Sequence, residues 1–224
     1  MVDVEEFKLI AAPGKGEVSA LLARPPQPIS LLVLGHGAGS TLGHPLLRDL
    51  SDALNQVGVA TLRFNYPYSE RGRGMDAEAV RLATVRAAVL AATQRAKGLP
   101  LFAGGHSMSG RMVSMAQAQA PLTDVSGIVF FAFPLHPGAP DAARAAHLSK
   151  VDLPMLFLSG TRDKLAEATL LAQVVGELER ATLHFIDTAD HGFKVLKRRN
   201  TEEPPLQEVS RVAREWMSRM SGVG

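Results

Sequence analysis

Apolar residues along the chain follow two alternating patterns. Continuous apolar runs are typical of strands covered on both faces, whereas apolar residues three or four positions apart mark one face of a helix. Two short runs, 6–12 and 17–24, flank the turn sequence PGKG and predict an antiparallel hairpin at one edge of a sheet. The continuous runs predict buried strands over 29–34, 59–64, 101–105, 125–133, 155–159 and 182–186.

Segments with helical spacing separate these strands. Pro45 suits the first turn of one helix, and Asp76 is placed to cap the next. The remaining predicted helices follow Ser107 directly or cover 165–178 and 206–220. Strands that alternate with helices predict an α/β fold, in which a mostly parallel central sheet has helices on both faces. We expect a single domain over residues 1–224, since α/β chains of this length commonly form one.

The charge balance and the composition of the chain exclude some classes of binding partner. The 24 basic and 22 acidic residues leave a net charge of +2, which provides no broad field for nucleic acid. The basic stretch at 194–199 is typical of a solvated surface, so we expect no nucleic-acid partner. No apolar stretch approaches the roughly 20 residues of a membrane span, and acidic residues precede the first apolar run. We therefore expect a cytoplasmic protein with no membrane partner.

The numbers and spacing of cysteines and histidines limit which metal and cofactor sites the chain can form. The chain has no cysteine, which excludes a disulfide framework, a thiolate metal site and a cysteine nucleophile. The spacing of the histidines does not indicate a metal site, so we expect neither a metal nor another cofactor. The glycine-rich loop at 35–40, with Arg63 after it, is also compatible with a dinucleotide-binding turn. That alternative is weakened because Ser40 stands where the third glycine is required.

Residues that could take part in a reaction follow four of the predicted strands. They lie in the loop at 35–40, at Ser107, at 160–163 and at 187–193. Because the carboxyl ends of parallel strands meet at one edge of a sheet, we expect these four segments to lie close together. Their order is glycine-rich loop, serine, acid and histidine, which is the chain order expected of an α/β-hydrolase.

Ser107 stands at the point of a predicted strand, tight turn and helix. Such a turn needs small residues two positions before and two positions after the exposed hydroxyl, and these are Gly105 and Ser109. Glycine is usual at the second position, so Ser109 adds a Cβ and a hydroxyl, and we expect Gly110 to supply some of the missing room. The competing interpretation is that Ser107 is only a helix N-cap residue.

Each candidate residue has a chemical role. A serine hydroxyl is a poor nucleophile near neutral pH, so Ser107 needs an imidazole to take its proton, and His191 is the candidate base. Asp163 would hold the imidazole tautomer and stabilise the imidazolium. Asp187 and Asp190 are rivals for that role, but they share a loop with the histidine, so we rank them lower.

Negative charge that develops on a substrate oxygen requires two fixed donors. The N–H of Met108, directly after the serine, and an N–H of the glycine-rich loop, for which we take Ala38, are the candidates. The side chain of His106 is expected to point away from the hydroxyl of Ser107. The six histidines other than His191 are expected to pack, to cap helices or to line a pocket, and they are His36, His44, His106, His136, His147 and His184.

The chain offers little material for a lid. The segment between Phe133 and Leu153 is short, which predicts no large lid and an open, shallow site suited to small soluble esters. The expected partner is therefore a small-molecule ester, and self-association into a homo-oligomer is left open. Candidates to line the substrate pocket are His36, Tyr66, Phe133, Leu135 and His136.

Six separated loops carry a resemblance to a known family. In chain order they read LGHGAGS, LRFNYPY, GGHSMSGR, FPLHPG, GTRD and DHGFK. With these loops the chain resembles the α/β-hydrolase superfamily over nearly its whole length, and in particular the small, lidless dienelactone-hydrolase-like serine hydrolases. The resemblance implies an α/β-hydrolase fold, serine esterase activity and a triad of Ser107, Asp163 and His191. Dienelactone hydrolases use a cysteine nucleophile, which this chain lacks, so the resemblance does not imply their substrate.

A second hypothesis comes from a different class of protein. The fold could serve binding or scaffolding with a weak or idle triad, and some eukaryotic relatives of the subgroup it resembles are subunits of chromatin complexes. Ser109 in place of glycine is the feature that favours this alternative.

Overall fold

The computed structural model describes residues 1–199 and 201–222 of the chain. Its strands are β1 (Asp3–Ile10), β2 (Glu17–Arg24), β3 (Ser30–Gly35), β4 (Val59–Phe64), β5 (Leu101–His106), β6 (Val125–Phe131), β7 (Met155–Gly160) and β8 (Ala181–Ile186). They form one eight-stranded sheet in the spatial order β1-β2-β4-β3-β5-β6-β7-β8. The predicted α/β architecture is therefore confirmed.

The predicted antiparallel hairpin lies at one edge of the sheet. β1 pairs antiparallel with β2 from Asp3 opposite Arg24 to Ile10 opposite Glu17, and β2 pairs antiparallel with β4. All the other neighbouring strands run parallel. β1 begins at Asp3 rather than at residue 6, because its exposed acidic start pairs along the whole of β2 without contributing an apolar signal.

Helices cover both faces of the sheet. They are α1 (Pro45–Gln56), α2 (Pro67–Arg71), α3 (Glu78–Thr93), α4 (Met108–Gln119), α5 (Ala168–Gly176) and α6 (Pro205–Ser221). α1 contacts α6 on one face, and α3 contacts α4 on the other. Burial of apolar area on both faces is the main stabilising contribution to such a fold.

The central strand β3 is continuously apolar because both of its faces are buried. Leu31 and Val33 pack into the core beneath α3 and α4, whereas Leu32 and Leu34 pack into the core beneath α1 and α6. Alternate side chains of a strand point to opposite faces, so a strand with two covered faces needs apolar residues at every position. All six residues of β3 are buried.

The connection after β4 differs from expectation. It contains the short helix α2, which begins at Pro67 and is too short to show a helical period in the sequence. Asp76 does not cap α3, whose N-cap residue is Ala77. The carboxylate of Asp76 instead accepts hydrogen bonds from the N–H of Tyr68 and from the guanidinium of Arg71, both at 2.7 Å. Asp76 therefore fixes α2 to the start of the next segment.

The segment between β6 and β7 contains two short 3₁₀ turns, Ala143–Ala145 and Leu148–Lys150. Each turn is three residues long, and residues 132–154, all of which the structure describes, contain no α-helix or strand, which agrees with the expected lack of a large lid. Within the described ranges, no helix combines the length and apolar character needed to cross a bilayer.

Candidate active site

Ser107 connects β5 to α4 through a strained turn. Its backbone has φ of 52° and ψ of −113°, a conformation that residues with a side chain rarely adopt. The N–H of Ser107 donates to the carbonyl of Phe131 at 2.9 Å, which anchors the turn to β6. Ser107 occupies the N-cap position of α4, but its hydroxyl makes no capping hydrogen bond to that helix, so the interpretation that Ser107 is only an N-cap residue is not supported. The turn leaves the hydroxyl free for other partners.

Three side chains from separate strand ends form one hydrogen-bonded series. Nε2 of His191 lies 2.9 Å from Oγ of Ser107, and Nδ1 of His191 lies 2.8 Å from Oδ2 of Asp163. The Asp163 carboxylate is buried, and its Oδ1 accepts the N–H of Leu165 at 2.8 Å. A carboxylate only accepts, so Nδ1 carries the ring proton and Nε2 is left to accept from the serine hydroxyl.

The two rival acids have other surroundings. Oδ1 of Asp190 accepts the N–H groups of Gly192 and Lys194, both at 2.9 Å, and so fixes the turn that carries the histidine. Asp187 is exposed at the start of that turn. The acid that contacts the ring of His191 is therefore Asp163, as the order of strand ends predicts.

Two glycines provide the room that Ser109 occupies. A Cβ on Gly35 would lie 2.5 Å from Cβ of Ser109, and a Cβ on Gly105 would lie 2.6 Å from it. Gly110, from which the sequence predicts some of this room, packs against other groups. A Cβ on Gly110 would lie 3.0 Å from both the carbonyl oxygen of Gly105 and the ring of Phe130, so this glycine packs closely against β5 and β6.

The two candidate oxyanion donors flank the serine. Ala38 lines the same pocket as Ser107, and Met108 is the first residue of α4. Among the hydrogen bonds of the described residues, neither the Ala38 N–H nor the Met108 N–H has an acceptor. Unpaired N–H groups at a helix N-terminus and in an adjacent loop are suited to hold a developing negative charge.

The Gly37–Ala38 peptide is held from its carbonyl side. The carbonyl oxygen of Gly37 lies 2.8 Å from Nδ1 of His36, 3.3 Å from the N–H of Ser40 and 3.5 Å from the hydroxyl of Tyr68. A trans peptide is planar, so its N–H points opposite to its carbonyl. These contacts therefore fix the direction of the Ala38 N–H.

A pocket of about 290 Å³ opens beside Ser107. Apolar side chains form part of its wall and imidazoles another part, and no acidic or basic side chain other than histidine lines it. Such a wall favours an uncharged group. The lining residues are Gly37, Ala38, Ser40, His44, Leu46, Leu47, His106, Ser107, Leu165 and His191.

None of the five residues expected to line the pocket does so. His36, Tyr66, Phe133, Leu135 and His136 are each at most 2% exposed and lie in the interior. The ring of His36 contacts Ser69 through Nε2 at 3.0 Å, and burial lowers its pKa to about 4. Phe133 packs among the phenylalanines of the core, and His136 accepts the N–H of Glu167 at 3.1 Å. These side chains therefore belong to the buried core next to the site and do not form the pocket wall.

His106 lines the pocket beside Ser107, which is one of the roles that the sequence predicts for it. Its Nε2 donates to the carbonyl of His191 at 2.9 Å, and burial lowers its pKa to about 4, so the ring is neutral near pH 7. A Cβ on Gly37 would lie 2.9 Å from Nδ1 of His106, so that glycine makes room for the ring. His106 therefore tethers the turn that carries the candidate base, a role that no local sequence signal indicated.

Comparison with known proteins identifies the family. A model of the α/β-hydrolase domain matches residues 28–218, which include all the parallel strands. The chain belongs to the α/β-hydrolase family. Within the described residues, no three side chains of the metal-ligating types His, Cys, Asp and Glu gather at one point.

Solved structures of other α/β-hydrolases are similar over nearly the whole chain. Dienelactone hydrolase from Anabaena variabilis has a TM-score of 0.73 at 20% identity, over 96% of this chain and 98% of that one. A lidless α/β serine hydrolase from Xanthomonas campestris has a TM-score of 0.72 at 18% identity, over 97% of this chain and 94% of that one. At these identities the likeness concerns the fold.

A curated relative comes from Mycobacterium tuberculosis and is provisionally named a phosphoribosyl transferase. It is 29% identical over 219 residues, which are 95% of this chain and 45% of that protein. The chain thus spans about half the length of the curated relative that it matches.

Proposed function

We propose that this α/β-hydrolase is a serine hydrolase that cleaves a small carboxylic ester through an acyl-enzyme on Ser107. The observation that carries the proposal is the unbroken hydrogen-bonded series from Ser107 through His191 to Asp163, beside an accessible pocket. A series of this geometry is what activates a serine hydroxyl near neutral pH.

In the acylation half-reaction, Nε2 of His191 takes the hydroxyl proton while Oγ of Ser107 bonds to the carbonyl carbon of the ester. The bond from that carbon to the alkoxy oxygen then breaks, and the imidazolium gives its proton to the departing alcohol. The buried carboxylate of Asp163 stabilises the imidazolium during this exchange.

In the deacylation half-reaction, a water molecule takes the place of the alcohol. His191 removes a proton from it as its oxygen bonds to the acyl carbon, and the proton then passes to Oγ of Ser107 as the acyl bond breaks. Both half-reactions place negative charge on the former carbonyl oxygen. The unpaired N–H groups of Ala38 and Met108 are assigned to hold that charge.

The pocket wall supports a small, uncharged acyl group as substrate. Leu46, Leu47 and Leu165 offer apolar contact, and no Lys or Arg is among the lining residues to bind an anionic group. A phosphoribosyl donor carries several phosphate charges, so the transferase name of the longer mycobacterial relative is not extended to this site.

The proposal is tested by hydrolysis of p-nitrophenyl esters of increasing acyl length. We expect turnover with an optimum at acetyl or butyryl, and a loss in kcat on the order of 10⁶-fold in Ser107→Ala, as for triad serines generally. Ser149→Ala, at an exposed serine away from the pocket, is the matched control and should retain activity. Absence of turnover by the folded wild type, or equal turnover by Ser107→Ala, would contradict the proposal.

A further inference from the structure

Ser109 stands where glycine is usual, and its hydroxyl has two partners. Oγ of Ser109 donates to the carbonyl of His36 at 2.5 Å and lies 2.9 Å from the hydroxyl of Tyr66. A carbonyl only accepts and Ser109 has one proton, so Tyr66 is the donor to Ser109. Burial raises the pKa of Tyr66, which keeps that proton in place. The three groups form a directed series, from Tyr66 through Ser109 to the His36 carbonyl.

The series joins three segments that meet at the site. Ser109 lies in the first turn of α4, two residues after the nucleophile, and Tyr66 directly precedes α2. His36 begins the loop that carries Ala38. The parallel pairing of β3 with β5 ends at Gly35 opposite Gly105, so the sheet does not hold this loop beyond that point. The hydrogen bond from Ser109 to the His36 carbonyl holds the chain at the first residue after the strand pairing ends.

We propose that Ser109, aligned by Tyr66, is a positioning residue that fixes the oxyanion loop against the helix carrying the nucleophile. The bond to the His36 carbonyl sets the plane of the His36–Gly37 peptide. The next peptide is held through the Gly37 carbonyl, so the direction of the Ala38 N–H depends on both contacts. This inference rests on the proposed function and refines it.

Loss of the Ser109 hydroxyl would leave two buried groups without partners. The carbonyl of His36 would lose its donor and the hydroxyl of Tyr66 its acceptor, and all three residues are fully buried. An unpaired buried group is costly, so the loop is expected to shift until these groups find other partners. A small shift suffices to misdirect an oxyanion donor, because its effect depends on its distance from the developing charge.

The test compares Ser109→Ala with the wild type on p-nitrophenyl butyrate and on a trifluoromethyl ketone, which forms a tetrahedral adduct with an active serine. We expect kcat to fall about 10- to 100-fold while KM changes less than about twofold. The inhibition constant of the ketone should rise by the same factor as kcat/KM falls. Tyr66→Phe keeps the hydroxyl of Ser109 but removes the Tyr66 hydroxyl that aligns it. This variant should therefore lose less kcat and less ketone affinity than Ser109→Ala.

Ser114→Ala is the matched control, because Ser114 is a buried serine of the same helix whose hydroxyl contacts His147 away from the pocket. It should retain wild-type kcat. An unchanged kcat and ketone affinity in Ser109→Ala would overturn the inference, as would an equal loss in Ser114→Ala. Should Ser109→Ala fail to fold, full activity in Tyr66→Phe would overturn it. A wild type without turnover contradicts the proposed function as well, whereas an active wild type with an equally active Ser109→Ala contradicts this inference alone.

Discussion

Replacing Asp163 with asparagine is expected to disable the site by reversing the tautomer of His191. Oδ1 of Asp163 accepts the N–H of Leu165, and Oδ2 accepts Nδ1 of the ring, each at 2.8 Å. In Asp163→Asn the amide oxygen must face Leu165, because an NH₂ group there would meet another donor. The NH₂ group then faces Nδ1, which can accept only without a proton. The ring proton moves to Nε2, which would donate to Ser107 and could no longer accept its proton.

The expected loss in kcat follows from this change of tautomer. In triad hydrolases this tautomer change lowers kcat by about 10⁴-fold, equivalent to about 5.5 kcal/mol in the activation free energy. The assay is ester hydrolysis at saturating substrate, with circular dichroism to verify the fold. Asp187→Asn changes an exposed acid on the loop of His191 and is the matched control, which should retain activity. Loss of less than about tenfold in Asp163→Asn, or a crippled Asp187→Asn, would refute the reasoning.

Three further predictions concern the surroundings of the triad. Gly160→Ala should lower both stability and kcat, because the new Cβ would lie 2.2 Å from the carbonyl oxygen of Ala189, on the segment leading to His191; a variant with wild-type urea unfolding and turnover would contradict this. Leu165→Ala should extend the preference to longer p-nitrophenyl esters, since Leu165 lines the pocket, and an unchanged optimum would speak against the assigned pocket. Stability should fall as the pH drops from 6.5 towards 4, because buried His36, with a pKa lowered to about 4, stays neutral while the unfolded chain takes up a proton. The loss from His36 alone is about 3 kcal/mol, and equal urea midpoints near pH 7 and pH 4 would exclude it.

Local patterns were sufficient to predict the architecture. The apolar run of β3 reflects two covered faces, and the turn sequence before β2 reflects a hairpin, so both features are encoded within a few residues. The approach of Ser107, Asp163 and His191 also follows from their positions after parallel strands. The catalytic role of these residues stays a prediction.

The pocket could not be predicted in the same way. Tyr66 and Phe133 follow strands at the correct edge, but whether a side chain enters the pocket or the core depends on segments distant in the sequence. The short helix α2 turns the segment after Tyr66 so that its ring packs against His36 and Phe64. Leu47, which does line the pocket, has in the sequence only the helical spacing of a core residue.

The contacts of Ser109 illustrate the same limit. Its fit depends on Gly35, which lies on a different strand, and its hydroxyl bonds to a carbonyl in a distant loop. The sequence shows only a departure from the usual motif, which predicts steric crowding and favours an idle triad. In the structure the departure is accommodated and hydrogen-bonded.

Activation of the Ser107 hydroxyl by His191 underlies the proposed reaction. It can be measured by treating the folded protein with a fluorophosphonate probe, followed by intact mass measurement and peptide mapping. We expect one probe per chain, bonded to Ser107, with labelling abolished in Ser107→Ala and in His191→Ala. A folded wild-type chain that stays unlabelled, or that carries the probe on another residue, would contradict it.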